Sequence, residues 1–400
     1  MFVMNLEKFF DIQNRIASTT PLSFKRSLYN KIPWQKRMLG IYGPRGVGKT
    51  TMILQYCIEN LKQDEYLYLS GDNPFVSIEG IYNIGDYFFK YGGKTLIVDE
   101  VHRLDNWSSH VKALYDAFPG KRIIISGSSA YKLLGGNADL SRRVLFYKLD
   151  ILSFREYIHF FLDTGFPEIS FEEMVFNHAE IARSVQKIEP LKHFRDYLRH
   201  GCFPMQEEEV YLFKRFMNII DKSLYEDVAD DIKNKNVSVL KKILAFFATS
   251  NVPSVSPNKL SNDLDISKVT LYHYLDLIER AGLLRKYLPF GSGKKKIRSG
   301  EKVFLSNTNF YYALFETQWK QSENKGTLRE AFFTSQADFL GLEIPERADF
   351  VVNGRTFIEI GGKSKTAKQI AGMEDAYLLK DDIETGYGKH IPLYLAGFLR

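Results

Sequence analysis

The sequence predicts an α/β protein whose first part is a parallel sheet covered by helices on both faces. Three observations carry this. Apolar, strand-like runs alternate with amphipathic helices between residues 37 and 152. The interiors of those strands are almost wholly apolar, as strands buried on both faces must be. A glycine-rich run, GPRGVGKTT from Gly43 to Thr51, separates the first strand from the helix after it.

Each element has its own signal. Leu6, Phe9, Ile12 and Ile16, with Phe10 beside them, follow helical spacing and predict an amphipathic N-terminal helix. It does not read as a signal peptide, because it lacks a basic start and Glu7 and Asp11 interrupt it. KRMLGIYGPRG predicts a strand, a loop and a helix from about Lys49, and EYLYLSGDNP predicts a second strand. A helix is expected over Ser77–Phe89, then the strand KTLIVDEVHRL and the helix WSSHVKALYDAF, which stops before Pro119-Gly120. KRIIISGSS and RRVLFYKLDILS supply the fourth and fifth strands. Helical, aromatic-rich sequence follows to about Lys235, broken by HGCFP at residues 200–204.

Composition narrows the function classes. With 44% hydrophobic and 26% charged residues the profile is that of a soluble globular protein, and 400 residues predict two to four domains. No apolar run reaches the roughly 18–20 residues a membrane span requires, so no membrane is expected as partner. Two distant cysteines, Cys57 and Cys202, argue against a disulfide scaffold or a cysteine zinc site, and a reducing cytoplasm is the expected location. A net charge of +6 permits an acidic or nucleic-acid partner without demanding one.

The strongest chemical signal is Gly43-x4-Gly48-Lys49-Thr50, which fits the phosphate-binding pattern G-x-x-x-x-G-K-[ST]. Its glycines let backbone N–H groups face a phosphate, and the following helix adds its positive end. The expected ATP site is Gly43, Pro44, Arg45, Gly46, Val47, Gly48, Lys49, Thr50 and Thr51, with Lys49 reaching the β- and γ-phosphates. Thr50 is the candidate magnesium ligand, and Asp99 is the candidate that holds the ion through water. Glu100, next to Asp99 at the end of LIVDE, is the candidate that polarises water. The adjacent acids, and the lack of an N-K-x-D motif, favour ATP over GTP. Ser126 or Ser128, at the end of the next strand, is placed to sense the γ-phosphate. Arg142 and Arg143 precede the fifth strand, and one of them is a candidate for the γ-phosphate of the same chain or of a neighbouring copy.

GPRGVGKTT, LIVDEVHRL, IIISGSSA, SRRVLFYKLDILSFREY and YLRHGCFP together resemble an AAA-type P-loop ATPase family of bacteria and archaea. Its members join a P-loop domain to a trailing domain of undefined function. The resemblance covers most of the chain, and its SFREY and GCFP segments are more specific than the phosphate loop. It implies an ASCE/AAA-type sheet with a helical subdomain. Arg143 matches the family's arginine, while Arg142 stands where glycine is commoner.

Beyond residue 236 the pattern changes to three helices and two strands. SVLKKILAFFA, SPNKLSNDLDI and SKVTLYHYLDLIERAGLL, followed by GSGKKKIRSG, predict a winged helix-turn-helix. Asp265 or Ser267 would cap the third helix and Gly282 would end it. That helix is expected to present Lys268, Thr270, Tyr272, His273 and Arg280. Seven basic residues and one acid lie between Arg285 and Lys302, which makes DNA a candidate partner. Asp276 and Glu279 on the third helix oppose that reading.

The last segment carries Glu330 on a helix, then Asp349 and Glu359 in ADFVVNGRTFIEI. This is the order of metal nucleases of the PD-(D/E)xK type, and the family's trailing domain resembles that fold. Gly361 occupies the lysine position, so a degenerate restriction-endonuclease-like α+β domain without nuclease activity is expected. Lys363 is the candidate substitute. A two-residue turn at Asn353-Gly354 pairs Asp349 with Ile358 and sends Asp349 and Glu359 to opposite faces. A three-residue turn at Val352-Asn353-Gly354 pairs Asp349 with Phe357 and leaves Glu359 on the same face, roughly 7–8 Å away. Only the second gathers a second metal site from Glu330, Asp349 and Glu359.

The expected domains are 1–155 (P-loop), 156–235 (helical), 236–307 (winged helix) and 308–400 (nuclease-like). The expected function is Mg-ATP binding and hydrolysis that moves or gates the attached domains. The alternatives are a DNA-binding protein or nuclease working through the wing and tail, and a nucleotide-gated scaffold for a protein partner with little turnover. Whether copies assemble is left open.

Overall fold

The structure is a computed structural model that describes residues 5–128, 133, 140, 142–232, 237–250, 256–291, 301–316 and 324–400. The chain forms two compact units, Met1–Asp150 and Ile151–Arg400. The segments expected as domains at 156–235, 236–307 and 308–400 therefore share one unit.

In the first unit the elements run α1 (Glu7–Thr19), β1 (Met38–Tyr42), α2 (Lys49–Asn60), β2 (Tyr66–Ser70), α3 (Pro74–Glu79), α4 (Ile81–Lys90), β3 (Thr95–Asp99), α5 (Trp107–Ala117), β4 (Arg122–Gly127) and β5 (Leu145–Lys148). The helix expected over residues 77–89 is two helices, because Gly80 adopts φ 78° between α3 and α4. All five strands are parallel, in the order β2-β3-β4-β1-β5. Their interiors (Leu39, Ile41, Leu67, Leu96, Ile97, Val98, Ile123, Ile124, Ile125) are essentially inaccessible. Parallel strands put every C-terminal end at one edge of the sheet, where the loops after β1, β3 and β4 meet. The register sets Ile41 beside Ser126 and Val98 beside Ile125. Asp99 thus lies level with Ser126, and β4 stands between β1 and β3.

β2 is an edge strand, and α1 closes part of that edge. Gln13, fully buried, accepts a hydrogen bond from the Tyr68 N–H (2.9 Å) and donates to the Gln63 carbonyl (3.1 Å). The side-chain amide stands in for a missing neighbouring strand, which an exposed edge otherwise lacks.

The second unit begins with α6 (Phe154–Leu162), α7 (Phe171–Phe176), α8 (His178–Val185), α9 (Pro190–His200) and α10 (Glu209–Lys222). Ser153 and Glu156 form a reciprocal cap at the start of α6, which gives the SFREY segment its local role. Next come α11 (Val237–Thr249), α12 (Pro257–Asp263), α13 (Lys268–Arg280) and the antiparallel pair β6 (Leu284–Tyr287) and β7 (Lys302–Leu305). Ser267 caps α13, and Gly282 turns the chain after it at φ 75°. The unit ends with α14 (Thr308–Leu314), α15 (Lys325–Ala337), β8 (Leu342–Glu343), β9 (Phe350–Val352), β10 (Thr356–Gly361), β11 (Ala376–Lys380) and β12 (His390–Pro392). These five strands form a mixed sheet in the order β12-β11-β10-β9-β8.

One aromatic core joins the start and end of this unit. Phe194 packs on Phe332 (4.7 Å between ring centres), and Phe154 meets Tyr197 at 5.5 Å and Phe398 at 5.9 Å. Tyr197 donates to the Leu152 carbonyl (2.7 Å) and accepts from Gln336 (2.9 Å). The hairpin is fastened to the tail as well: the buried Arg285 donates to Asp338 (2.8 Å) and to the Ser306 carbonyl (3.0 Å).

The hairpin of β9 and β10 takes neither expected register. Asn353 (φ 49°) and Gly354 (φ 67°) make the turn, and the Arg355 N–H closes it onto the Val352 carbonyl at 3.0 Å. Val352 then pairs with Thr356 and Phe350 with Ile358. Arg355 is an extra, bulged residue that shifts the register by one. The shift carries Asp349 level with Glu359, on one face.

Replacing Asp338 with alanine should lower the stability of the second unit by about 2 kcal/mol, because a buried guanidinium loses its charged partner. Asp338→Asn should lose less. Urea unfolding of both variants checks this.

Candidate functional site

The loop after β1 is shaped by its glycines. A side chain at Gly43 would meet the Leu149 carbonyl oxygen at 1.9 Å. Gly46 (φ 81°) and Gly48 (φ 93°) hold left-handed conformations that other residues reach only under strain. Successive N–H groups in such a turn face inward, and α2 begins at Lys49 with its positive end toward them. Arg26 braces the loop from below: this buried side chain donates to the Val47 carbonyl at 2.7 Å and to the Asp150 carbonyl at 2.8 Å. Lys49, only 5% exposed, donates to the carbonyls of Gly43 (2.9 Å) and Pro44 (3.1 Å) and lies 3.9 Å from Glu100 Oε1. Pro44, Arg45 and Thr51 are half-buried around it.

Opposite the loop, the buried carboxylate of Asp99 gathers donors from three elements. Thr50 Oγ1 donates to Oδ2 at 2.5 Å and Tyr68 OH to the same oxygen at 2.8 Å. Ser126 Oγ donates to Oδ1, which also takes the Glu100 N–H at 3.2 Å. Burial, with Asp99's charge beside it, pushes the Tyr68 hydroxyl above its ordinary pKa, so it stays a donor. Glu100 has φ 47°, unusual for a residue with a side chain. Its Oε2 accepts from the Ser128 N–H at 3.1 Å and lies 3.6 Å from Nδ1 of the buried His102.

This arrangement fits Mg-ATP. Thr50 and Asp99 are hard oxygen donors side by side, which suits magnesium. The inward amides and Lys49 suit phosphate. The structure brings Lys49, Thr50, Asp99, Glu100 and Ser126 together. Arg143 does not join them. Leu145 pairs with Leu39, so Arg143 stands level with Arg37, about 20 Å down the strands from the phosphate loop. There it pairs with Asp116 at 3.1 and 3.3 Å, and Arg142 beside it is exposed. A γ-phosphate role for Arg143 within its own chain is corrected: the residue precedes β5 and so belongs to the opposite sheet edge. Sequence reading missed Tyr68, His102 and Arg26. Tyr68 left a faint signal, a polar tip recurring within an apolar strand, while Arg26 left none.

Residues 35–158 match the AAA domain family. With the five-stranded parallel sheet and its phosphate loop, the first unit has the AAA-type P-loop fold. Residues 191–321 match a domain of unknown function, DUF8612. An uncharacterized protein of Methanocaldococcus jannaschii is 28% identical over 67% of this chain and 60% of its own length. An uncharacterized protein of Haemophilus influenzae is 28% identical over 52% of this chain and 49% of its own length. The chain thus spans less than two thirds of either relative. Among solved structures, AMPPCP-bound DnaA from Aquifex aeolicus aligns at 16% identity over 70% of this chain and 89% of that one, with a TM-score of 0.28. C. elegans PCH-2 aligns at 13% identity over 67% of each chain, with a TM-score of 0.23.

Apart from the AAA domain, two further groups of candidate residues have a place in the second unit. On α13, Lys268, Tyr272, His273 and Arg280 are exposed and Thr270 is half-buried. Asp276 and Glu279 pair with Lys286 of β6, Glu279 at 3.0 Å, and both acids stay largely exposed. Three of the seven basic residues counted toward a wing are internal: Arg285 and Lys286 as above, and Lys302, which reaches Glu330 (3.2 Å) and Asp349 (3.7 Å). The other four, Lys294, Lys295, Lys296 and Arg298, lie outside the described residues.

The acids Glu330, Asp349 and Glu359 do converge, but with cations among them. Lys365 Nζ lies 2.5 Å from Glu359 Oε1, so Lys365 rather than Lys363 takes the place beside the acids. Among the described residues no group of three or more His, Cys, Asp or Glu side chains is arranged to hold a metal ion. Lys302 and Lys365 thus stand among the three acids expected to form the second metal site. Burial, with the charge of Asp349 opposing the relief from Lys302, pushes Glu330 up to about 7.

A carboxyl raised in the folded state favours folding while it is protonated. The contribution is whole below the ordinary carboxylate range and is lost as pH rises toward about 7. The second unit should therefore lose stability between pH 4.5 and 7, and Glu330→Gln should flatten that slope. Chemical unfolding across this range checks it.

Proposed function

We propose that the first unit binds Mg-ATP and hydrolyses it, and that turnover moves or gates the second unit. The observation that carries the reading is Thr50 Oγ1 at 2.5 Å from Asp99 Oδ2, next to a buried Lys49 at the end of a loop whose Gly46 and Gly48 are left-handed. The amides and Lys49 bind the phosphates. Thr50 and Asp99 hold the magnesium, whose charge, when bound, offsets the charge developing on the phosphoryl oxygens. Glu100 polarises the attacking water once it leaves the Ser128 N–H. Ser126, between the loop and Asp99, reports the state of that carboxylate through β4.

Lys49→Ala should abolish nucleotide binding. Glu100→Gln should keep binding and cut turnover by about a hundredfold or more, as loss of a general base does. Calorimetry with ATP and phosphate release measure the two. Equal turnover in wild type and Glu100→Gln contradicts the reading.

A second reading makes the three helices and hairpin of residues 237–305 a winged helix that contacts duplex DNA. Its support is the exposure of Lys268, Tyr272 and His273 on α13, together with Lys286, which offsets the charge of Asp276 and Glu279 on the same helix. Binding should then weaken steeply with salt, and Lys268→Ala should lower the slope of log K against log salt by about one. Fluorescence anisotropy with a labelled duplex at several salt concentrations tests it. A slope unchanged by Lys268→Ala counts against it.

A further inference from the structure

Asp99 can serve a magnesium ion only while its carboxylate is aimed at the Thr50 hydroxyl. A hydroxyl that gives a lone pair to a cation must point its hydrogen away from it, and that hydrogen needs an acceptor. Asp99 Oδ2 is that acceptor at 2.5 Å. The same oxygen is held from the other side by Tyr68 OH at 2.8 Å. Tyr68 stands on β2, separated from β1 by two strands, and is 5% exposed. Its backbone is fixed in turn, because its N–H is bound by the buried Gln13 of α1 at 2.9 Å. Free rotation of Asp99 about its own Cα–Cβ bond is therefore opposed by a side chain from the neighbouring strand β2.

We propose that Tyr68 is a positioning residue for magnesium: it fixes the Asp99 carboxylate in the orientation that leaves the Thr50 oxygen available to the metal. This rests on the Mg-ATP reading above. The alternative is that Tyr68 merely fills the core and uses Asp99 as a convenient acceptor. Outer partners of metal ligands change metal affinity by about tenfold or more when removed, whereas a core filler changes stability alone.

The test is ATP binding by calorimetry with and without magnesium, on wild type, Tyr68→Phe, Asp99→Asn and the double variant. In wild type magnesium should tighten ATP binding. In Tyr68→Phe this tightening should fall about tenfold while metal-free affinity stays the same. In the Asp99→Asn background, Tyr68→Phe should change nothing further, because the carboxylate it positions is gone. Equal tightening in wild type and Tyr68→Phe overturns the proposal, as does an equal effect of Tyr68→Phe in the Asp99→Asn background. If magnesium does not tighten ATP binding in wild type, the Mg-ATP reading itself fails, and the proposal goes with it.

Discussion

The candidate site depends on how one buried carboxylate is satisfied. Asp99 lies in a region from which water is largely removed, and an ionised group there is costly unless its oxygens are bonded. Four donors supply those bonds: Thr50 from α2, Tyr68 from β2, Ser126 from β4 and the Glu100 N–H from its own chain. Each has its place because of the sheet order. β4 lies between β1 and β3 and β2 lies on the far side of β3, so Asp99 is flanked on both sides. The phosphate loop, the sheet order and the edge closure by Gln13 all meet at this group.

Much of this was legible in the residues. The phosphate loop, the LIVDE strand end and the alternation of strand and helix are local signals, and each was written in a few consecutive positions. The partners of Asp99 were harder to see. Thr50 followed from motif position, Ser126 only as a candidate for the γ-phosphate, and Tyr68 reaches Asp99 only because β2 and β3 are neighbours, a fact no local pattern carries. For Arg143 the same limit removes one of two expected roles. Its position just before a strand fixes which edge of the sheet it occupies, and that edge is far from the phosphate loop of its own chain.

In the second unit, charge counting was the weak guide. Arg285, Lys286 and Lys302 look alike in a basic stretch, yet each is paired internally with an acid distant in sequence or one helix back. Asp276 and Glu279 seemed to spoil a nucleic-acid face and in fact pair with Lys286 of the hairpin. The turn of β9 and β10 shows how small the margin is. Asn353-Gly354 was one of two turns expected, and one bulged residue, Arg355, gave a register that neither predicted and decided which side chains share a face.

Glu100 occupies a backbone conformation that glycine or asparagine would adopt at little cost, with φ 47°. A glutamate there costs about 1 kcal/mol or more. The chain would fold more readily without this carboxylate. Its presence marks a trade in which the resting fold gives up stability to hold an acid beside a lysine, and glycine or asparagine at residue 100 should raise thermal robustness while removing that acid.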